Sequence, residues 1–520
     1  MELKVTVFCL FLCFSFCLAD KVDVTINGET ARATTDDNFI CATLDWWSDN
    51  ECNFGYCAWI KSGILNMDLK NELMMNAMKA FGNLRIRVGG SLQDQVVYNM
   101  GYTKVKDCPS AFTKTNGLFG FSNGCLSQER WDELNDLFNQ TGVKVTFGLN
   151  ALAGRQQSPA DKVLWVGDWD PRNSRDLIEY SISKGYKIDS YELGNELSGS
   201  GVGARLESDQ YAKDMIKLKN LVNELYPDDS TRPKVLGPGG FYDKKWFDNF
   251  LEKAGPGVVD AVSHHIYNLG AGGDPELINR VQDPIYLDHV AQTFADVRNT
   301  VREFAPWSEA WVSEAGGAYQ SGGRDVSHAF ADGFWYLDQL GMASTFNHKA
   351  YCRQALIGGN YALLNEQSMF PNPDYYGALL WNKLMGNKVL FTKHKGSPYL
   401  RAYSHCSKNH PGVSLLLINM SNSTTFDVNV IDDFNLIPDQ LATVRKTGPK
   451  SQREEYHLTP EDGYIQSDVL LLNGNPLRPT DMFKIPEMVP ILVDNTSPIT
   501  VAPDSFVFVV FKDFKAAACS

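Results

Sequence analysis

Between residues 37 and 386, short apolar runs alternate with amphipathic helical patterns eight times over, and very few architectures satisfy that alternation. The runs are Ile40–Leu44, Leu84–Val88, Val143–Leu149, Ile188–Leu193, Lys234–Leu236, Val258–His265, Ala310–Ser313 and Thr345–Ala355. Helical patterns fall between them. Asp68–Phe81 sets Leu69, Leu73, Met74, Ala77, Met78 and Phe81 on one face. Ser127 is placed to cap a helix carrying Trp131, Leu134 and Phe138, and Gly142 to stop it. Asp209–Leu225, Leu287–Phe304 and Ser327–Leu340 read as further helices. Eight strands alternating with helices predict an α/β chain built on a (β/α)8 barrel.

The texture changes after Met385. Residues 387–520 carry short alternating strands at Lys388–Thr392, Leu400–His405, Val413–Ile418, Phe426–Val430, Val469–Leu472 and Phe506–Phe511, with the turn pair Asn473-Gly474 among them. They predict an all-β sandwich domain. Lys21–Ile26, within residues 20–36, alternates too and is expected to pack on that domain rather than on the barrel.

The first 19 residues read as a secretory leader: Glu2 and Lys4, an apolar stretch Val5–Leu18, then Cys17-Leu18-Ala19 as a small-residue cleavage site before Asp20. That stretch is too short to span a bilayer, and no other run reaches about 18 unbroken apolar residues. The expected destination is outside the cell, in the apoplast or cell wall, with a vacuole or lysosome-like compartment as the alternative. Eight of the eleven cysteines remain after the leader, and none forms a Cys-x-x-Cys pair, so disulfides are expected. Connectivity stays open, although Cys108 and Cys125 bracket a loop-like segment that a bridge between them would staple. Glycosylation sequons start at Asn139, Asn419 and Asn422; a fourth at Asn495 is weakened by Pro498. The net charge of −14 argues against nucleic acid and against a long polyanion held on a broad basic face. It is compatible with one anionic sugar in a small pocket. The charge run from Lys450 to Glu455 reads as a solvated loop.

Two glutamates occupy matching places on this frame. Glu196 follows the fourth run in Tyr-Glu-Leu-Gly-Asn-Glu-Leu, and Glu314 follows the seventh in Trp-Val-Ser-Glu-Ala-Gly-Gly. Barrel active sites collect at the C-terminal ends of the strands, so both residues face one mouth. Glycosidic bond cleavage needs such a pair: an acid for the leaving oxygen and a carboxylate for the anomeric carbon. Glu196 is expected to be the acid/base and Glu314 the nucleophile, with Asn195 placed to meet the sugar 2-hydroxyl. Asp45, Ser91, Tyr267, Tyr319 and the Gly359-Asn360-Tyr361 loop share the same rim. His264 and His265 are adjacent on a strand and point opposite ways, which makes them poor joint metal ligands. No metal and no cofactor is expected, since the chemistry needs neither. Phosphate-loop, nucleophile-elbow and His-Glu-x-x-His motifs are absent.

Long segments around these residues resemble glycoside hydrolase family 79, at its plant heparanase-like branch. They are Cys41-Ala-Thr-Leu-Asp-Trp-Trp, Arg85-Ile-Arg-Val-Gly-Gly-Ser-Leu-Gln-Asp-Gln, Gly194-Asn-Glu-Leu-Ser-Gly-Ser-Gly-Val-Gly, His264-His-Ile-Tyr-Asn-Leu-Gly and Pro371-Asn-Pro-Asp-Tyr-Tyr. The resemblance implies a retaining β-glucuronidase with Glu196 and Glu314 in the roles above. It implies that Tyr319, Gly359, Asn360 and Tyr361 hold the uronic carboxylate, that Asp45, Ser91, Asn195 and Tyr267 contact the sugar or orient the glutamates, and that Cys406 pairs with Cys519. Leu197 stands where many relatives carry Pro. Lys106–Cys125 is short where animal heparanases have a long excised linker, so a single-chain enzyme is expected. The acidic balance favours exo action on a terminal glucuronic acid of an arabinogalactan-type glycan or a phenolic glucuronide. The alternatives are an endo-acting enzyme, a neutral-sugar hydrolase, or a non-catalytic carbohydrate-binding protein on the same fold.

Overall fold

The computed structural model describes residues 19–432 and 451–520. The expected leader lies outside them except for Ala19, as does Lys450 of the charge run. Eight parallel strands close a barrel: β1 (Ile40–Leu44), β2 (Arg85–Val88), β3 (Lys144–Leu149), β4 (Ser190–Leu193), β5 (Lys234–Phe241), β6 (Ala261–Ile266), β7 (Glu309–Ala315) and β8 (His348–Arg353). Each pairs with its neighbours in sequence, and β8 returns to β1 with Cys352 opposite Cys41. A disulfide joins that pair across the seam.

Helices between the strands start and stop where local chemistry tells them to. Ser127 accepts from the Arg130 N–H at 3.1 Å, and Gly142 ends the helix Gln128–Thr141 in the left-handed region. The expected helix at Asp68 begins instead at Glu72. Asp68 makes a turn with the Lys70 N–H, and Asn71 is the cap, accepting from Met74. The expected Leu287–Phe304 helix is two pieces, Pro284–Asp288 and Val290–Phe304, and Ser327–Leu340 is realised as Asp332–Thr345. Arg172–Ser183, Lys244–Ala254 and Pro373–Leu384 are helices as well.

The C-terminal residues form two sheets. Val413–Asn419 lies between Leu400–Ser407 and Ser505–Phe511 in the larger one. Its alternation sorts side chains between two cores. Leu415 and Leu417, with Val507 and Val509, face Val22, Val24 and Ile26 inside the sandwich. Leu416 and Ile418, with Phe506 and Phe508, join the core of the barrel side. The N-terminal strand Asp20–Asn27 sits inside the smaller sheet, antiparallel to Phe391–His394 and parallel to Phe426–Asp432. Cys406–Cys519, Cys108–Cys125 and Cys52–Cys57 are the other disulfides.

Two sequence expectations need correction. Residues 452–455 are not a solvated loop: they open the strand Gln452–Pro460, where Arg453 is buried, pairs with Glu455 at 2.6 Å and donates to three carbonyls. Charge alone hid a strand whose cation is fully satisfied inside. Asn419 is fully buried, and its Nδ2 donates to the carbonyls of Thr424, Val501 and Ala502. The nitrogen that a glycan would occupy is therefore closed off in this fold. Asn139 and Asn422 are exposed.

Candidate active site

Side chains that point inward from the strands fill the barrel interior. Leu236, Ala261, Trp311 and Ala350, from the four successive strands β5 to β8, form a buried apolar cluster, with the Arg85 guanidinium 4.5 Å from the Trp311 ring. Two residues along β2 from Arg85, Arg87 points the same way and pairs with Glu192 of β4. Arg87 is fully buried and spreads its fork over three partners: Glu192 at 2.8 Å, Asn195 Oδ1 at 2.9 Å and Glu314 Oε2 at 2.6 Å. Burial works against its charge, but Glu192 and Glu314 outweigh burial and hold it protonated. Burial likewise pushes Glu192 up, but the Arg87 guanidinium, His265 and hydrogen bonds from Ser263 and Ser313 together outweigh it and leave this carboxyl below its ordinary range.

Glu314 ends β7 above this pair. Its second oxygen accepts from the Tyr267 hydroxyl at 2.7 Å. Burial and the nearby Glu314 raise Tyr267 far above its ordinary value, so it stays a donor. Glu196 lies opposite, in the turn after β4. Its backbone is in the left-handed region at φ 55°, an uncommon state for a side chain with a Cβ. Two neighbours hold it there: its N–H donates to the Gly239 carbonyl at 2.7 Å, and its carbonyl accepts from Val202 at 3.0 Å. Gly240 permits the approach of β5, because a Cβ there would meet the Glu196 Cα at 3.0 Å. Glu196 Oε1 shares a hydrogen bond with His265 Nδ1 at 3.0 Å, while His264 points outward to His348. The ligand atoms of Glu196, His265 and Glu314 lie within 4.8 Å of one another. That spacing also suits a metal ion, but the Glu314 oxygens and His265 Nδ1 are already engaged, and a guanidinium sits beside Glu314.

Both glutamates open into a cavity of about 600 Å³ that Asp45, Ser91, Tyr267, Tyr319 and Tyr361 also line. Asp45 accepts from the Trp46 and Trp47 N–H groups and from Gln354 Nε2. Burial, then the charge of Glu314, raise its carboxyl to about 7. Gly90, at φ 123°, makes room for it, since a Cβ there would fall 2.3 Å from the Asp45 carboxylate. Asn195 is buried behind Arg87. Its N–H is held by Asp94 at 2.8 Å, and its buried Nδ2 has no protein partner, although Asn195 is not itself among the residues that line the cavity.

Gly359 and Asn360 are not among the lining residues. Their N–H groups donate to the carbonyls of Ala58 and Ser321 at 2.7 Å each, so neither is free for a carboxylate. Gln320 and Ser321 face the cavity instead. Both are left-handed, at φ 60° and 67°, and neither N–H has an acceptor among the described residues. Ser321 Oγ accepts from Asn53 Nδ2 and Trp59 Nε1, both at 2.9 Å, so its own proton remains to be donated. Sequence reasoning missed Arg87, Glu192, Gln320 and Ser321. The repeat of arginine two residues apart in a parallel barrel strand was the available signal for Arg87.

A family model described as glycosyl hydrolase family 79, N-terminal domain, matches residues 21–341. Heparanase-like protein 1 of Arabidopsis thaliana is 49% identical over 519 residues, 96% of this chain and 95% of that protein. The chain belongs to glycosyl hydrolase family 79. It is a glycoside hydrolase, and its sequence is also 39% identical to baicalin-β-D-glucuronidase of Scutellaria baicalensis over 96% of this chain and 94% of that protein. Among solved structures, a family 51 arabinofuranosidase from Xanthomonas axonopodis pv. citri shares the fold, with a TM-score of 0.65 at 14% identity over 94% of this chain and 99% of that one. A 4-O-α-L-rhamnosyl-β-D-glucuronidase from Fusarium oxysporum does so with a TM-score of 0.63 at 16% identity, over 94% and 100%. The family 79 site thus sits on a barrel shared with other glycosidases.

Proposed function

We propose that the protein is a secreted, retaining exo-β-glucuronidase that removes terminal β-linked glucuronic acid by double displacement. The observation that carries this reading is the carboxylate pair, whose oxygens lie within 4.8 Å. Enzymes that attack the sugar directly hold their carboxyls about 5–5.5 Å apart, whereas inverting enzymes leave room for a water. In the first step a Glu314 oxygen bonds to the anomeric carbon while Glu196 gives its proton to the departing oxygen. In the second, Glu196 takes a proton from water, and that water displaces Glu314. Arg87 and Tyr267 fix the attacking carboxylate, and the free Nδ2 of Asn195 is a donor for the 2-hydroxyl.

Glucuronide specificity is supported by the donors gathered at Gln320 and Ser321. Successive N–H groups in a turn make an anion-binding concavity, and the Ser321 hydroxyl adds a third donor. Tyr319 and Tyr361 flank them. Exo action is supported by the lining charge: Asp45, Glu51, Glu196 and Glu314 are present, with no lysine or arginine. A long polyanion would be repelled, whereas one uronate end can be held by neutral donors. Four disulfides and the expected leader support secretion into the apoplast. Arabinogalactan-type glycans and phenolic glucuronides both offer the terminal uronic acid.

The test is hydrolysis of an aryl β-glucuronide and the matching β-glucoside at mildly acidic pH by wild type and Glu314→Gln. The expected result is turnover of the glucuronide alone, reduced about 10⁴-fold or more in the variant with an unchanged melting curve. Comparable turnover of the glucoside would refute carboxylate recognition. Full activity of the variant would refute the nucleophile.

A further inference from the structure

The cavity is chemically two-sided. Gln320, Ser321 and Gln354 make one side polar, whereas Phe119, Val202 and Phe241 make another apolar. All three apolar residues are tied to the turn that carries Glu196. Val202 donates its N–H to the Glu196 carbonyl. The Phe241 carbonyl accepts from Ser198 Oγ at 3.1 Å, and its ring lies 6.4 Å from that of His265, the partner of Glu196. The Phe119 ring rests on Gly203 of the same turn, where an added Cβ would come within 2.7 Å of it.

An acid must stand beside the bond it breaks, so the leaving group occupies the Glu196 side of the cavity. Resting on the acid/base assignment made above, we infer that Phe119, Val202 and Phe241 form an aglycone subsite for a flat, apolar, aryl leaving group. Phe241 and Val202 are 41% and 36% exposed. Clustered beside a deep polar cavity, apolar side chains left in water at that level mark a binding surface rather than scattered surface residues. They offer no partner to the hydroxyls of a sugar leaving group. Phe119 is also held rigidly. It is left-handed at φ 55°, its loop is closed by Cys108–Cys125, and its ring meets Trp47 edge-on at 6.1 Å. Rigid aromatic walls bind planar rings with little ordering cost.

Three measurements test the subsite. Wild type, Phe119→Ala and Phe241→Ala are assayed on 4-methylumbelliferyl β-glucuronide and on a β-glucuronosyl galactose. Binding of free 4-methylumbelliferone to the inactive Glu314→Gln protein is then followed by calorimetry, with and without Phe241→Ala. The expected result is a KM for the aryl glucuronide raised roughly tenfold in each variant, at least about five times the change seen for the disaccharide. Glu314→Gln should bind the free aglycone, and adding Phe241→Ala should weaken that binding roughly tenfold. Equal changes in both KM values, or no binding of the free aglycone, would overturn the subsite. If wild type hydrolysed neither glucuronide while Glu314→Gln still bound the aglycone, the glucuronidase reading would fail and the aryl subsite would be supported on its own.

Discussion

Removing the guanidinium of Arg87 would leave the fully buried Glu192 carboxylate without its cation, close to Glu314 at the floor of the cavity. Breaking a buried ion pair from one side costs about 3–5 kcal/mol, because the remaining charge has no water to turn to. Arg87→Met should therefore lower stability by that order in chemical denaturation. Adding Glu192→Gln should recover much of the loss without restoring activity, since Glu314 would still lack its fixed donor. Recovery of activity in the double variant would show that Arg87 serves the barrel and not the carboxylate. At this scale the sequence was legible where a residue type sits at a strand end, as with Glu196, Glu314 and Tyr267. It was not legible where the outcome depends on which donors a loop consumes internally. The N–H groups of Gly359 and Asn360 are spent on Ala58 and Ser321, and no pattern of residues announces that Gln320 and Ser321 are left over. Arg87 was hidden for another reason: arginine reads as surface, and only a barrel that already holds Glu192 and Glu314 makes it an interior residue.

Strand β8 meets β1 only after the chain has travelled 311 residues, and Cys41–Cys352 locks that meeting. A bridge closing so long a loop stabilises mainly by restricting the unfolded chain, typically by about 2–5 kcal/mol. The Cys41→Ser/Cys352→Ser double variant should lose stability in that range. Because Asp45 follows β1 and Gln354 follows β8, their hydrogen bond spans the same seam. The variant should thus also lose activity on heating before its global unfolding transition, measurable as a gap between inactivation and melting temperatures. Coincident temperatures would mean that the hydrogen-bonded ladder alone holds the seam. All eight barrel strands could be read from apolar runs, but their pairing of cysteines could not, since Cys41 and Cys352 come together only through barrel closure. Helix limits were readable where a cap is unambiguous, as at Ser127. They slipped where two caps compete, as at Asp68 and Asn71, and Lys244–Ala254 went unread although Asp243 caps it and Trp246, Phe247, Phe250 and Leu251 are spaced as one helix face.

Barrel and sandwich share a seam in which His405 is fully buried. Its Nδ1 bonds the Gly386 carbonyl at 2.6 Å, Nε2 meets Ser344 Oγ at 3.1 Å, and its ring packs edge-on against Trp381. Burial lowers its pKa to about 4, with the Gly386 carbonyl opposing the shift. The folded value lies below the unfolded value of about 6.5. As pH falls through 6.5, the unfolded chain therefore takes up a proton that the folded one refuses, and stability is lost down to about pH 4. Asp45 and Asp94, each raised to about 7, work in the opposite direction over the same range. The His405 share is isolated by difference: His405→Asn should flatten the fall in unfolding free energy between pH 6.5 and 4, by up to about 3 kcal/mol. Parallel curves for variant and wild type would exclude this histidine as a source of acid lability.

The N-terminal strand carries a consequence for modularity. Asp20–Asn27 is an inner strand of the smaller sheet, flanked on one side by Phe391–His394 and on the other by Phe426–Asp432. The two ends of the barrel's chain are thereby spliced into one body. A fragment of residues 387–520 would present two strand edges with a gap one strand wide between them. A barrel cut at residue 386 would trail a sticky apolar ribbon with nothing to enter. Gene-level shuffling that treats the sandwich as an interchangeable cassette would break a sheet rather than a linker, so barrel and sandwich are bound to be inherited together.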